Sequence, residues 1–227
     1  MSELSCLEDD RSNVVRLPSC KAQAVVAGPG HGRRADLEAF IAQRFARAYG
    51  AEVTADHPLI AGLVAPDGEV LAAAGVRFAE AGPLFLERYL DRPIEAEVGR
   101  VLGGPAPRDA IAEIGAFAST HPAWSMQLFE ALPPWLAGLA GRRFAVATLR
   151  PELARMLGRS GFGLRTIADA DPSRLGDEAS AWGSYYAGAP RIYAGRVGTA
   201  DALTLMRERL RARAMERHAR RIARASA

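Results

Sequence analysis

The stretch "DAIAEIGAFAS", residues 109–119, decides the fold. Read as extended chain, Asp109, Ile111, Glu113, Gly115 and Phe117 point one way, and Ala110, Ala112, Ile114, Ala116 and Ala118 point the other. Both faces are mostly apolar, which predicts a strand in the middle of a sheet with helices packed over both sides. Glu113 is the exception. A carboxylate in such a strand needs a partner or a task.

Working outward, "RADLEAFIAQRFARAYGAE" places Leu37, Phe40, Ile41, Phe45, Ala48 and Tyr49 at helical spacing and closes on Gly50. "LIAGLVAP" and "EVLAAAGVRFA" flank the turn residues Pro66, Asp67 and Gly68 and read as a β-hairpin. "PLFLERYLDRPIEAEVGRVL" predicts one or two short helices broken at Pro93. Beyond the central strand, "AWSMQLFEALPPWLAGLAG" has a helical pattern that Pro133 and Pro134 should kink or split. "RRFAVATL" is a strand, "PELARMLGRSG" a helix with proline at its start and glycine at its end, and "FGLRTIAD" another strand. A loop follows, then "AWGSYYAGAP", the strand "RIYAGRV" and a C-terminal helix from about residue 200. Helices alternating with strands after an initial hairpin predict an α/β (α+β) three-layer domain on a mixed sheet.

At 227 residues the chain has room for one well-buried domain. The reading divides it into a flexible N-terminal arm (1–30), the domain proper (31–199) and a basic C-terminal helix (200–227). The net charge is only +3, but the last 22 residues hold eight arginines against two glutamates. Such a segment suits an acidic protein partner or an anionic membrane surface, or is simply a solvated basic face. No aromatic residues interleave with these charges, so nucleic-acid binding is not expected.

The two cysteines, Cys6 and Cys20, both fall in the N-terminal arm, which argues against a disulfide framework. There is no secretory signal pattern and no apolar run long enough for a membrane span, so the cytoplasm is the expected location. His31, His57, His121 and His218 are scattered without ligand spacing, and no metal site is expected. No strand is followed by a dinucleotide or P-loop glycine motif.

Several stretches together resemble the thermostable hemolysin family: "LEAFIAQRFARAYGAEV", "GPLFLERYLDRPIE", "IAEIGAFAS", "RRFAVATLRPELARMLGRSGF", "ADADPSRLG" and "WGSYYAGAPRIYAG". That family looks like a branch of the GNAT-like acyltransferases near the acyl-homoserine lactone synthases. The resemblance implies a GNAT-like αβα domain with a splayed central sheet. It also implies transfer of an acyl group, fatty acyl by expectation, from an acyl-carrier-protein or acyl-CoA thioester to an amine such as an amino acid. The thioester is then a cosubstrate, and no bound cofactor is expected. In the synthases the central strand carries Glu-x-Ser-Arg-Phe. Here Glu113 and Phe117 match that pattern, while Gly115 and Ala116 replace its serine and arginine.

An amine attacking a thioester must lose a proton, and the oxyanion needs hydrogen-bond donors. Glu113, desolvated on its strand, is the expected general base; the alternative is an ion pair with Arg77 or Arg150. Arg77 either orients Glu113 or an acceptor carboxylate, or is a snorkelling edge residue. Glu87 and Tyr89 either line the acceptor pocket or lie on a helix surface. Gly115, Ala116 and Phe117 fall beside the base. Trp182 packs in the core or lines an acyl pocket, and Tyr185 or Tyr186 is the candidate proton donor to the leaving thiolate.

Acetyl-CoA enzymes of the superfamily that the chain resembles usually carry a glycine-rich pyrophosphate loop after the central strand. "STHPAWSMQLF" has no glycine there, which favours a carrier protein as donor. Arg142, Arg143, Arg150, Arg155, Arg159 and the terminal arginines suit such an acidic partner, or else solvate helix ends. The competing reading is a membrane-active or lipid-binding protein without thioester chemistry, in which the C-terminal helix makes a peripheral membrane contact.

Overall fold

Residues 111–119 do form a strand, and the sheet is built around it. The computed structural model describes residues 15–16, 22–54 and 56–197. Its strands are β1 (Val15–Arg16), β2 (Gln23–Ala27), β3 (Leu59–Val64), β4 (Val70–Phe78), β5 (Ile111–Ser119), β6 (Phe144–Leu149), β7 (Arg165–Asp169) and β8 (Arg191–Arg196). The helices are α1 (Arg34–Tyr49), α2 (Ile94–Leu102), α3 (Pro122–Gly138) and α4 (Pro151–Arg159). Two 3-10 segments, Phe85–Tyr89 and Pro172–Trp182, bear on the site. The sheet order is β1-β2-β3-β4-β5-β6-β8-β7, and β5–β6 is its one parallel pair among the described residues.

Three layers result. On one face α3 sets Leu128, Phe129, Leu132, Trp135 and Leu136 against Leu63, Ala72, Val76, Ala112 and Ile114. On the other face α1 buries Leu37, Ile41 and Phe45, spaced one helical turn apart, against Ile60, Ala73 and Ala118. Farther along that face α2 packs Ile94 and Val98 with Ile111, Val146 and Ile192. Helices α1 and α2 therefore cover opposite halves of one sheet face. The gap between them lies over the centre of the sheet.

The central pair does not stay together. Ile111–Ile114 of β5 pair with Phe144–Ala147 of β6, and there the ladder stops. Strand β5 continues to Ser119 against β4, while β6 continues to Leu149 against β8. At the same point β5 carries a bulge. Gly115 faces Gly75 and Ala118 faces Ala73, so two residues, Ala116 and Phe117, stand opposite the single Ala74. Ala116 takes the left-handed conformation, with φ 46°. That costs an alanine about 1–2 kcal/mol relative to ordinary strand geometry.

The bulge corrects the alternation expected from the sequence. Glu113 and Gly115 share a face, but Phe117 turns to the α3 side, its ring 4.7 Å from that of Phe129, and Ala118 joins the α1 cluster. Asp109 belongs to a 3-10 turn, not to the strand. Two further expectations need revision. Residues 23–27, taken as part of a flexible arm, form β2 and pair with β3 along its length. Helix α3 runs through Pro133 and Pro134 without a break. Its residues on both sides of the prolines are buried against the sheet, which offsets the two backbone donors that proline removes. Cys6, Cys20 and the expected C-terminal helix lie outside the described residues.

Candidate active site

Where β5 and β6 part, a cavity of about 680 Å³ opens on the face between α1 and α2. Its floor is Glu113 and Gly115–Ser119 of β5, with Arg77 of β4 and Thr148–Arg150 at the end of β6. Its walls are Arg44, Phe45 and Tyr49 of α1, the segment around Asp56 and His57, and the aromatic group Phe85, Tyr89, Trp182 and Tyr185. Beyond Ile114 no β5–β6 ladder pair forms among the described residues, which leaves that edge of β5 without strand hydrogen bonds.

Glu113 is only 3% exposed. Its two carboxylate oxygens accept hydrogen bonds from the backbone N–H groups of Phe85 and Leu86, each at 2.9 Å. The 3-10 segment Phe85–Tyr89 thus begins on the carboxylate. Burial pushes the Glu113 pKa up; the two N–H donors and the Arg77 charge pull it down without overcoming burial. The alternative expected for Glu113, an ion pair with Arg77 or Arg150, does not form among the described residues. Arg77 is the register partner of Glu113, but its guanidinium donates to the carbonyls of Asp56 at 2.6 Å and Pro83 at 3.5 Å. Arg150 lies over the ring of Tyr49 and 3.6 Å from Glu152.

Tyr185 donates to the Thr148 carbonyl at 3.4 Å, and burial raises its pKa, so the phenol keeps its proton. Tyr89 and Tyr186 join through their hydroxyls, and burial raises both pKa values. Trp182 touches Phe45, Phe85, Tyr185 and Tyr186 and closes the aromatic wall.

The sequence from residue 27 to residue 200 matches the model of the thermostable hemolysin family. The chain belongs to that family. This thermostable hemolysin relative matches no curated protein in sequence. Its fold, however, is that of several solved acyl-homoserine lactone and N-acyl amino acid synthases. The AHL synthase LasI is 11% identical with a TM-score of 0.54, covering 78% of this chain and 90% of LasI. BjaI, a CoA-dependent acyl-homoserine lactone synthase solved with SAM and isopentyl-CoA, is 13% identical with a TM-score of 0.54, covering 82% and 87%. FeeM, an N-acyl amino acid synthase from uncultured soil microbes, is 14% identical with a TM-score of 0.51, covering 77% and 89%. The architecture of this family member is accordingly the GNAT-like αβα domain with a splayed mixed sheet.

Not every candidate residue reaches the cavity. Glu87 points away from it. Burial pushes the Glu87 pKa up, but the Arg108 hydrogen bonds and the N–H groups of Leu84 and Ile94 outweigh this and hold it low. Arg108 grips both Glu87 oxygens at 2.7 Å, and the Ile94 N–H at the start of α2 donates to the same carboxylate at 3.2 Å, tying the 3-10 segment to α2. Arg142 and Arg143 sit at the opposite end of the sheet from the cleft. Arg142 stacks over Phe78 and bonds Glu80 and the Asp109 carbonyl, and Arg143 lies over Phe144. Arg150 alone of the three lines the cavity. Among the described residues no three His, Cys, Asp or Glu side chains are grouped to hold a metal ion, and no helix is long and apolar enough to cross a membrane.

The site also contains a residue that sequence reasoning passed over. His57 precedes β3 and lays its ring on Gly75 and Gly115, which face each other across the β4–β5 ladder. A Cβ at Gly75 would stand 2.2 Å from the ring, and one at Gly115 would stand 2.7 Å from Nε2. The signal was available: paired glycines in two buried apolar strands mark a close approach by something else. What approaches them was not legible.

Proposed function

We propose that this protein is an N-acyltransferase that moves an acyl group from a carrier-protein or CoA thioester to an amine. The observation that carries the reading is the buried carboxylate of Glu113, held by two backbone donors beside the point where β5 and β6 separate. A thioester carbonyl lying in the splay would meet the unpaired N–H groups of β5, which stabilise charge as it develops on oxygen. The amine attacks the carbonyl carbon, forming the C–N bond. Its proton passes to Glu113, directly or through water. The C–S bond then breaks, and the departing thiolate takes a proton from Tyr185, whose hydroxyl exchanges its long bond to the Thr148 carbonyl for one to the sulfur. Solvent returns the Glu113 proton to the tyrosine.

The raised Glu113 pKa supports its role, since a more basic carboxylate is a better proton acceptor. The architecture shared with LasI, BjaI and FeeM supports the reaction class. On the donor side, the connection from β5 to α3 has no glycine loop. Instead His121 caps α3 through its own imidazole, accepting from the Ala123 N–H at 3.1 Å. Part of the anion-binding capacity of that helix start is thus already used, which favours a carrier protein over free CoA. Arg150 at the cavity mouth suits an acidic donor.

The test is thiol release from a panel of acyl-carrier-protein and acyl-CoA thioesters, with pooled amino acids and polyamines as acceptors, compared with Glu113→Gln. Amine-dependent release that the substitution lowers by about 10²-fold or more supports the reading. Flat traces for every donor overturn it.

A further inference from the structure

Resting on the acyl-transfer reading, we propose that His57 binds the acceptor: a ring nitrogen of its neutral imidazole takes a hydrogen bond from the amine and holds it beside Glu113.

Four observations converge on this residue. Gly75 and Gly115 face each other on β4 and β5, and both lack a side chain where the imidazole lies, so two adjacent strands are bare to admit one ring. The backbone that carries the ring is also held, because Arg34 of α1 donates to the main-chain carbonyls of His57 at 2.7 Å and Pro58 at 3.1 Å. Its Nδ1 is buried with no hydrogen-bond partner among the described residues. A histidine kept only for packing would normally have its polar atoms satisfied by the protein. Finally, His57 and Glu113 line the same cavity, with Glu113 two residues from Gly115 on the same face of β5.

The charge state fits the task. Burial, then the charges of Arg77 and Arg34, lower the His57 pKa to about 4, with Asp56 opposing them. A neutral imidazole presents a lone pair to an N–H donor; an imidazolium would present only donors and a repelling charge. In the reaction proposed above, the amine proton goes to Glu113, so His57 stays neutral throughout and its contribution is orientation of the nitrogen lone pair.

Two measurements test this. In the 15N-labelled full chain only four histidines contribute imidazole signals. Titration with n-butylamine or glycinamide should shift the His57 ring nitrogens saturably, an effect absent in His57→Phe. With a thioester donor that supports transfer, His57→Phe should raise the amine KM by about tenfold or more, the worth of one lost hydrogen bond to a charged or buried group. The donor KM should remain unchanged, and His57→Gln, whose amide oxygen can accept, should recover part of the loss. An imidazole spectrum indifferent to amines, or an unaltered amine KM in a folded His57→Phe, overturns the proposal. If His57→Phe does not fold, the wild-type titration and His57→Gln decide instead. A wild-type chain that releases thiol from no donor refutes the acyl-transfer reading, whereas the amine titration still reports on His57.

Discussion

Arg77 and Glu113 face each other directly across the β4–β5 ladder, yet each spends its hydrogen bonds elsewhere. The guanidinium holds the carbonyls of Asp56 and Pro83, and the carboxylate holds the N–H groups of Phe85 and Leu86. Two loops are thereby pinned to the sheet on either side of the cavity. Opposite charges in register need not form the salt bridge that a strand diagram suggests, because unpaired backbone groups of nearby loops compete for the same atoms.

Glu113 should therefore have separable structural and chemical effects. Glu113→Gln keeps an acceptor for one N–H and loses it for the other, which should lower stability by about 1–3 kcal/mol in urea unfolding. Glu113→Ala orphans both donors and should cost more. Acyl transfer should fall far beyond what the unfolded fraction explains in either variant.

The pH dependence of stability should carry two opposing contributions. Glu113 has a folded pKa above its unfolded value, so its contribution is fully present below the unfolded pKa and is lost as pH rises through the folded one. His57 has a folded pKa lowered from 6.5 to about 4, so the unfolded chain binds its proton first and stability falls as pH drops through that window. In denaturant titrations between these two values, His57→Gln should show a shallower acid-side loss than the wild type.

Gly75→Ala and Gly115→Ala each force a methyl group into the His57 ring, whose backbone Arg34 holds in place. Each should cost about 1–3 kcal/mol and weaken amine-dependent transfer. Gly158→Ala, in the exposed part of α4 with nothing within 4 Å of the new methyl, should instead stabilise by about 0.5–1 kcal/mol. Thermal melts of the three variants provide the comparison.

Arg108→Ala should leave the Glu87 carboxylate without its bidentate partner and lower stability by about 2 kcal/mol. Because Glu87 anchors the segment whose N–H groups hold Glu113, transfer activity should fall as well. Restoring stability with a stabilising substitution elsewhere should leave part of that activity deficit in place.

Arg150→Ala should raise the donor KM, whereas Arg143→Ala, at the far end of the sheet, should leave it unchanged. The difference should shrink as ionic strength rises, since exposed charges are screened over about 8–10 Å at physiological salt. Steady-state kinetics at two salt concentrations check both statements.

The layers of this protein were legible from periodicity. The apolar spacing of Leu37, Ile41 and Phe45, the turn at Pro66–Gly68 and the two-sided apolar run at 111–118 are local patterns, and each formed the element it predicts. Glu113 was also legible as the odd residue in its strand, since a carboxylate among buried apolar neighbours stands out without any structure. The site around it was not. Which atoms satisfy Glu113, which end of the sheet holds Arg142 and Arg143, and whose ring covers Gly75 and Gly115 all depend on contacts between segments 18 to 58 residues apart in the chain. The bulge at Ala116 reverses the faces of Phe117 and Ala118 by inserting one residue into a ladder, and periodicity alone gives no sign of it. Local chemistry determined where strands and helices form and marked the carboxylate. Long-range packing decided which groups meet that carboxylate, because hydrogen bonds go to whichever partner the folded backbone brings within reach.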